Sequence, residues 1–292
     1  MNNINLTGCG TALITPFRNG EVDYAAFAAL TDRQVAAGID FLVPLGTTGE
    51  TPCLDDDERI KVLQTAKEHS AGLPVVVGGG TNSLKHTIRS MQMLDPYGVD
   101  AFLIVVPYYN KPTQEGQYLY FKAVAESTDK PIVLYNVPGR TGVNMTAETT
   151  LRLARDFENI VAIKEASGNI GQMDEIIKNK PEGFDVISGD DGITFPLITL
   201  GAVGVISVLG NAFPAEFSKM NRLALEGNYA EALTIHHQFT EIINLLFADG
   251  NPAGAKAMLN IMGMCENKLR LPLVPAREAT YEKLRAAWEA LK

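Results

Sequence analysis

Residues 161–169 read Val-Ala-Ile-Lys-Glu-Ala-Ser-Gly-Asn, an apolar and β-branched run that ends in turn-forming residues. This composition predicts a buried strand followed by a tight turn. Because side chains alternate along a strand, Lys164 shares a face with Ala162, whereas Glu165 points to the opposite face. Lys164 therefore lacks an adjacent counter-ion, and burial would favour its neutral amine.

A neutral amine is a nucleophile that forms a Schiff base with a carbonyl compound. The alternative is a lysine that extends out of the strand end or pairs with a distant carboxylate. Residues 161–169 alone leave both interpretations open, and the polar residues elsewhere in the chain favour the catalytic one.

The rest of the chain alternates short β-rich runs with longer amphipathic segments. Eight strand-then-helix units predict parallel strands with right-handed crossovers, and eight is the number that closes a (β/α)₈ TIM barrel. Strands are predicted at 11–15, 41–44, 74–77, 101–106, 132–135, 161–164, 185–188 and 204–208. Helices are predicted near 23–37, 55–70, 83–94, 114–127, 146–156, 170–179, 191–200 and 214–226.

Two domains follow from this pattern: a barrel over residues 1–227 and a C-terminal helical extension over 228–292. The extension has helical patterns at 230–247, 253–268 and 277–291 but no strand signal.

A doubly wound open sheet also alternates strands and helices. However, no Gly-x-Gly-x-x-Gly opens a helix after a strand, and the glycines at 78–80 lack the third glycine at the required spacing.

Composition limits the classes of partner. The net charge of −9 over 292 residues argues against nucleic acid and against an anionic membrane surface. Cys9, Cys53 and Cys265 are odd in number and far apart, which favours a reducing compartment. The N-terminus shows no signal-peptide pattern and the apolar runs are too short to span a bilayer, so a cytoplasmic location is expected.

The active site of such a barrel lies at the C-terminal ends of its strands. Four polar groups lie at predicted strand ends or in the loops after them. The loop at 46–50, Gly-Thr-Thr-Gly-Glu, can offer hydroxyl and amide donors to a carboxylate. Tyr108 and Tyr109 lie in a stiff loop between prolines, Tyr135 faces the barrel mouth beside Lys164, and Arg140 in Pro-Gly-Arg-Thr-Gly suits a carboxylate.

The seventh strand ends in Ser-Gly-Asp-Asp at 188–191, where two carboxylates could bind a metal ion. None of the four histidines (His69, His86, His236 and His237) falls at a strand end, so a metal-dependent hydrolase is not favoured. The two acids are instead expected to cap the next helix.

Taken together, the motifs at 46–50, 108–112, 135–142, 163–169 and 188–191 resemble the dihydrodipicolinate synthase family. The resemblance runs in order over nearly the whole chain. The wider superfamily of pyruvate-dependent lyases and aldolases shares the barrel, the lysine and the tyrosine. Within this superfamily, Arg140 favours the dihydrodipicolinate synthases, because sialic-acid lyases and keto-deoxy-sugar aldolases look different at that position.

The resemblance implies that pyruvate condenses with L-aspartate 4-semialdehyde through an imine on Lys164, a step of diaminopimelate and lysine biosynthesis. Tyr135 and Thr47 would relay protons, together with Tyr109 from a neighbouring subunit of a homotetramer. Substrate-binding roles are implied for a further set of residues, namely Thr48, Arg140, Gly189, Asp190 and Ile206. No metal ion and no organic cofactor is implied.

Some members of the family are inhibited by lysine at a site between subunits. Asn82 and Tyr108 match residues of that site, whereas Asp56, Arg59 and His86 replace histidine, histidine and glutamate of the sensitive type. We therefore expect weak lysine inhibition or none. Two alternatives remain: another pyruvate aldolase, of N-acetylneuraminate or keto-deoxy-sugar type, and a non-catalytic ligand-binding barrel.

Overall fold

The computed structural model describes residues 4–292, and the first three residues of the predicted barrel domain, 1–3, lie outside that range. Eight parallel strands form one sheet in the order β4-β1-β10-β9-β8-β7-β6-β5. A bridge between Leu42 and Val75 joins its two edges, so the sheet closes into a barrel. The barrel strands are β1 (Gly8–Ala12), β4 (Phe41–Val43), β5 (Val76–Gly78), β6 (Ala101–Val105), β7 (Ile132–Asn136), β8 (Ile160–Glu165), β9 (Asp185–Ser188) and β10 (Gly204–Ser207).

Helices separate the barrel strands, and a small hairpin of β2 (Phe17–Arg18) and β3 (Glu21–Val22) follows β1. The predicted (β/α)₈ TIM barrel is therefore confirmed. The helices of this region are α1 (Tyr24–Ala36), α2 (Asp56–Glu68), α3 (Leu84–Leu94), α4 (Gln114–Ala125), α5 (Pro138–Thr141), α6 (Ala147–Asp156), α7 (Ile170–Asn179), α8 (Thr194–Leu200) and α9 (Pro214–Leu225). The C-terminal helices are α10 (Tyr229–Phe247), α11 (Ala253–Ile261) and α12 (Glu278–Glu289).

Local side-chain chemistry explains where several helices begin. Asp55 and Glu58 form a reciprocal capping box at the start of α2, as their spacing predicts. The Thr113 hydroxyl accepts a hydrogen bond from the Gly116 amide at the start of α4. These caps satisfy backbone donors that the first helical turn leaves free.

Two predicted boundaries are wrong. The first strand covers Gly8–Ala12 rather than 11–15, because the Ile14 amide donates to the side chain of Asn211 and leaves the strand ladder. Helix α11 ends at Ile261 rather than at residue 268. Gly263 adopts a left-handed conformation with φ of 75°, and the Met264 amide donates to the Leu259 carbonyl, which closes the helix end.

Alternation along the strands sorts side chains into two layers. Val133, Tyr135, Ala162 and Ile206 belong to a cluster inside the barrel. Their chain neighbours point outward into a larger apolar layer between the strands and the helices. Within residues 4–292, no helix combines the length and the apolar character needed to cross a membrane.

Candidate active site

Lys164 and Tyr135 face each other inside the barrel mouth. They are Cα partners in the parallel pairing of β7 with β8. The Lys164 side chain is buried, at 6% exposed, and its Nζ lies 4.4 Å from the centroid of the Tyr135 ring. Among the residues that the structure describes, Nζ has no hydrogen-bond or ion-pair partner. The geometry therefore opposes a lysine that extends into solvent or pairs with a distant carboxylate.

A cavity of about 420 Å³ opens at this end of the barrel. Its walls include four residues that the sequence predicts at the rim, namely Thr47, Tyr108, Tyr135 and Arg140. Lys164 does not line the cavity itself. It contacts the ring of Tyr135, and Tyr135 lines the cavity. The volume lies in the range of small-molecule sites.

The loop at 46–50 presents its two threonines differently. Thr47 lines the cavity, whereas Thr48 is buried at 2% exposed. The Thr48 hydroxyl accepts a hydrogen bond of 2.9 Å from Nδ2 of Asn251. The Thr15 hydroxyl donates to the Gly49 carbonyl at 2.8 Å, which ties the loop to the chain that follows β1.

The loop is also anchored to the C-terminal extension by a buried ion pair. The Glu50 carboxylate contacts Nζ of Lys256, and neither side chain is exposed. The other Glu50 oxygen accepts from the Arg270 amide at 3.0 Å, and Lys256 also donates to the Lys268 carbonyl at 2.9 Å. Burial lowers the pKa of Lys256, and the charge of Glu50 opposes that shift.

Arg140 lies in the short helix α5, lines the cavity and is an exposed residue. Its guanidinium donates to the backbone carbonyl of Asn251 at 3.4 Å. An arginine with further donors facing a cavity can bind a carboxylate.

Asn251 is a site residue that the sequence reasoning missed. It lines the cavity, is 7% exposed and contacts both Thr48 and Arg140. Its Oδ1 is buried without a hydrogen-bond partner among the described residues. A single asparagine between two helices of the extension carries no pattern that would have identified it.

Tyr109 does not line the cavity of its own chain. Its side chain is 87% exposed, and its backbone has a φ of 75°, which is unusual for a residue other than glycine. Tyr108, the preceding residue, lines the cavity. The structure thus brings Tyr108 into the site and leaves Tyr109 outside it.

Three further residues with an implied substrate-binding role, Gly189, Asp190 and Ile206, lie in different surroundings. A Cβ atom on Gly189 would lie 3.0 Å from Cε of Lys164, so a larger side chain would press on the lysine. Asp190 accepts a hydrogen bond from the Gly192 amide at 2.9 Å and caps a short turn before α8. Ile206 lies inside the barrel, and none of these three residues lines the cavity.

Asp191 was expected to cap the next helix, and that prediction is wrong. Its carboxylate is buried and accepts from the amides of Val208 and Leu209 at 3.0 and 2.8 Å. Burial raises its pKa to about 6. Within residues 4–292, no three or more His, Cys, Asp or Glu side chains are grouped so that they could hold a metal ion.

The residues compared with a regulatory site lie in or beside the main cavity. Arg59 lines that cavity and also a smaller one of about 220 Å³, which Asp56, His86 and Arg89 line as well. Arg59 donates to the Ser90 hydroxyl and, at 3.4 Å, to Asp56. Asn82 is half-buried and lines neither cavity.

Comparisons with known proteins agree over nearly the whole chain. Residues 5–291 match the model of the dihydrodipicolinate synthetase family. The 4-hydroxy-tetrahydrodipicolinate synthase of Phocaeicola vulgatus is 65% identical, covering 98% of this chain and 97% of the relative. That of Parabacteroides distasonis is 63% identical over 98% of this chain and 97% of the relative. A crystal structure of dihydrodipicolinate synthase from Thermotoga maritima superimposes with a TM-score of 0.96 at 43% identity, covering 97% of this chain and 98% of that one.

Proposed function

The chain belongs to the dihydrodipicolinate synthetase family, and on that premise we propose that it condenses pyruvate with L-aspartate 4-semialdehyde through an imine on Lys164. The protein is thus a lyase of the Schiff-base type that serves diaminopimelate and lysine biosynthesis. The observation that carries the proposal is the buried amine of Lys164, unpaired among the described residues and held against the ring of Tyr135.

The chemistry follows from the amine. Nζ of Lys164 attacks the ketone carbon of pyruvate, and loss of water gives the imine. The protonated imine withdraws electrons, so a methyl proton leaves and an enamine forms. The enamine carbon adds to the aldehyde of the second substrate. The amino group of that substrate then displaces Lys164 and closes the ring, which releases the cyclic product and regenerates the lysine.

Proton transfers in this sequence need a group beside the reacting atoms. Tyr135 contacts Lys164 and lines the cavity, which supports the proposal that its phenol carries protons. Thr47 lines the same cavity and is the proposed next member of the relay. Tyr109 would complete the relay only in a neighbouring subunit, and its exposure in this chain is consistent with that role.

Two parts of the cavity would bind the carboxylates of the two substrates. The loop at 46–50, with Thr47 and Thr48, would bind the carboxylate of pyruvate. Arg140 would bind the carboxylate of the semialdehyde. Gly189, Asp190 and Ile206 belong to the proposed surroundings of the substrates, with Gly189 leaving room beside the lysine side chain. No cofactor takes part in this scheme.

The proposed assembly is a homotetramer. Beside the cavity mouth, Tyr109 and Leu271 are 87% and 82% exposed, which favours an interface there. The proposed location is the cytoplasm, and the three free cysteines are compatible with its reducing conditions.

Treatment with pyruvate and borohydride tests the proposal directly. The reduced imine should appear by peptide mass mapping on Lys164 and nowhere else. Lys256 is a matched internal control, because it is also buried but is paired with Glu50. Release of the cyclic product from pyruvate and aspartate semialdehyde should disappear in Lys164→Met. Labelling at other lysines, or turnover by that variant, would refute the mechanism.

A further inference from the structure

A network of polar side chains lies on the outer face of the two strands that carry Tyr135 and Lys164. Asn136 and Glu165 are the next residues of β7 and β8, so they point away from the barrel interior. They are also Cα partners in the strand register. Nδ2 of Asn136 donates to both carboxylate oxygens of Glu165, at 3.2 and 3.1 Å. The outer pair therefore locks the same register that brings the inner pair together.

Glu165 connects three further parts of the site. Its carboxylate accepts from Nε2 of Gln172 in α7 at 2.9 Å and from the Ser167 amide in the turn after β8 at 2.8 Å. Its backbone carbonyl accepts from the Gly189 amide at 2.8 Å, which holds the loop that leaves room for Lys164. One residue thus joins β7, β8, α7 and the loop after β9.

The carboxylate of Glu165 is held without a cation. Its side chain is fully buried, and among the described residues its partners are neutral amide donors. Burial raises its pKa, and the hydrogen bonds from Asn136, Gln172 and Ser167 oppose that shift. A buried acid with several oriented donors is costly for folding, but it fixes the position of the groups that it contacts.

We propose that Glu165 is a positioning residue, which sets the geometry of Lys164 and Tyr135 through its hydrogen bonds to Asn136, Gln172 and Ser167. The inference rests on the proposed function, since it concerns how fast the Lys164 amine reacts. The physical basis is that attack of an amine on a carbonyl depends strongly on geometry. A small displacement of the reacting groups slows the reaction strongly. Glu165 itself points away from the cavity and acts through the strand.

The test compares Glu165→Gln with Glu175→Gln, a control on the exposed face of α7. Glu165→Gln replaces one carboxylate oxygen by an NH₂ group, which cannot accept the hydrogen bonds that Asn136, Ser167 and Gln172 donate to the carboxylate. We expect its rate of borohydride trapping of pyruvate to fall about 10- to 100-fold, in parallel with kcat, and the KM for pyruvate to change much less. The control should keep the rates of the unmodified protein.

A second variant separates positioning from a loss of stability. Asn136→Asp places two carboxylates opposite each other, and adding Glu165→Gln restores one donor and one acceptor. The double variant should trap pyruvate faster than Asn136→Asp alone, measured on protein whose folded fraction is known from circular dichroism. Equal trapping rates in Glu165→Gln and the unmodified protein would overturn the inference and leave the proposed function intact. Absence of trapping in the unmodified protein would instead refute the proposed function.

Discussion

Tyr135 and Lys164 are held together by strand register, since no hydrogen bond links their side chains. Their Cα atoms are partners between β7 and β8, and both side chains point inward, which leaves Nζ 4.4 Å from the ring centroid. The Tyr135 ring lies against Nζ, and no hydrogen bond between the two side chains occupies that nitrogen.

Tyr135→Phe keeps the ring that packs against Lys164 and removes only the hydroxyl. We expect kcat to fall by about 10²- to 10⁴-fold, as for loss of a positioned acid or base, with the lysine still present to form the imine. Steady-state kinetics and slow borohydride trapping measure the two effects. A variant with undiminished kcat would remove the phenol from the mechanism.

Arg140→Ala should damage use of the semialdehyde far more than reaction with pyruvate. A charged hydrogen bond to a carboxylate contributes roughly 1.5–3 kcal/mol, which corresponds to about 10- to 150-fold in kcat/KM for that substrate. Pyruvate trapping on Lys164 should stay near the rate of the unmodified protein. Arg152→Ala, which changes an arginine outside the cavity lining, is the control. Equal losses for both substrates would show that Arg140 is misassigned.

L-lysine should inhibit this enzyme weakly or not at all. Arg59 contributes a positive charge to both cavities and Arg89 adds a second to the smaller one, where the Asp56 carboxylate contacts both arginines. The two guanidinium groups would repel a cationic ligand there, which disfavours binding. Initial rates across a series of lysine concentrations give the inhibition constant. A value in the low-millimolar range or tighter would contradict the expectation.

Asp191 makes the stability of the fold depend on pH. Burial raises its pKa from 3.8 to about 6, so the folded protein holds this proton where the unfolded chain has lost it. The contribution of Asp191 to the free energy of unfolding therefore falls as pH rises from about 4 to 6, by about 3 kcal/mol in total.

Asp191→Asn keeps an acceptor for the amides of Val208 and Leu209 but does not titrate. The difference in urea-unfolding free energy between this variant and the unmodified protein should change across that pH window and level off above it. A difference that stays constant from pH 4 to 7 would contradict the assignment.

Lys256→Met leaves the Glu50 carboxylate buried without its cation. Breaking a buried pair in this way costs about 3–5 kcal/mol of unfolding free energy. Adding Glu50→Gln should recover much of that loss, because the unpaired charge is then removed. Urea denaturation measures both variants, with the exposed Lys178→Met as the control. A loss below about 0.5 kcal/mol, as at ordinary surface positions, would show that the pair is unimportant.

Local pattern predicted much of the fold and the centre of the site. Alternation in the runs before Tyr135 and Lys164 placed both side chains inside the barrel, and the structure confirms this. The end of the first strand was wrong, because a side chain 197 residues away, that of Asn211, takes the Ile14 amide. Asn251 was missed for the same reason, since it reaches Thr48 across 203 residues. Such partners depend on the closed barrel and leave no trace in local spacing.

The link between Glu50 and the extension has a practical consequence for protein engineers. Residues 251–270 supply Asn251 to the cavity wall, and through Lys256 and Arg270 they anchor the loop at 46–50, which forms another part of that wall. A scaffold shortened to the eight strand–helix units would lose Asn251 and both anchors along with its helices. Circular permutants or domain fusions should therefore open the chain elsewhere, for instance at exposed turns on the opposite end of the strands.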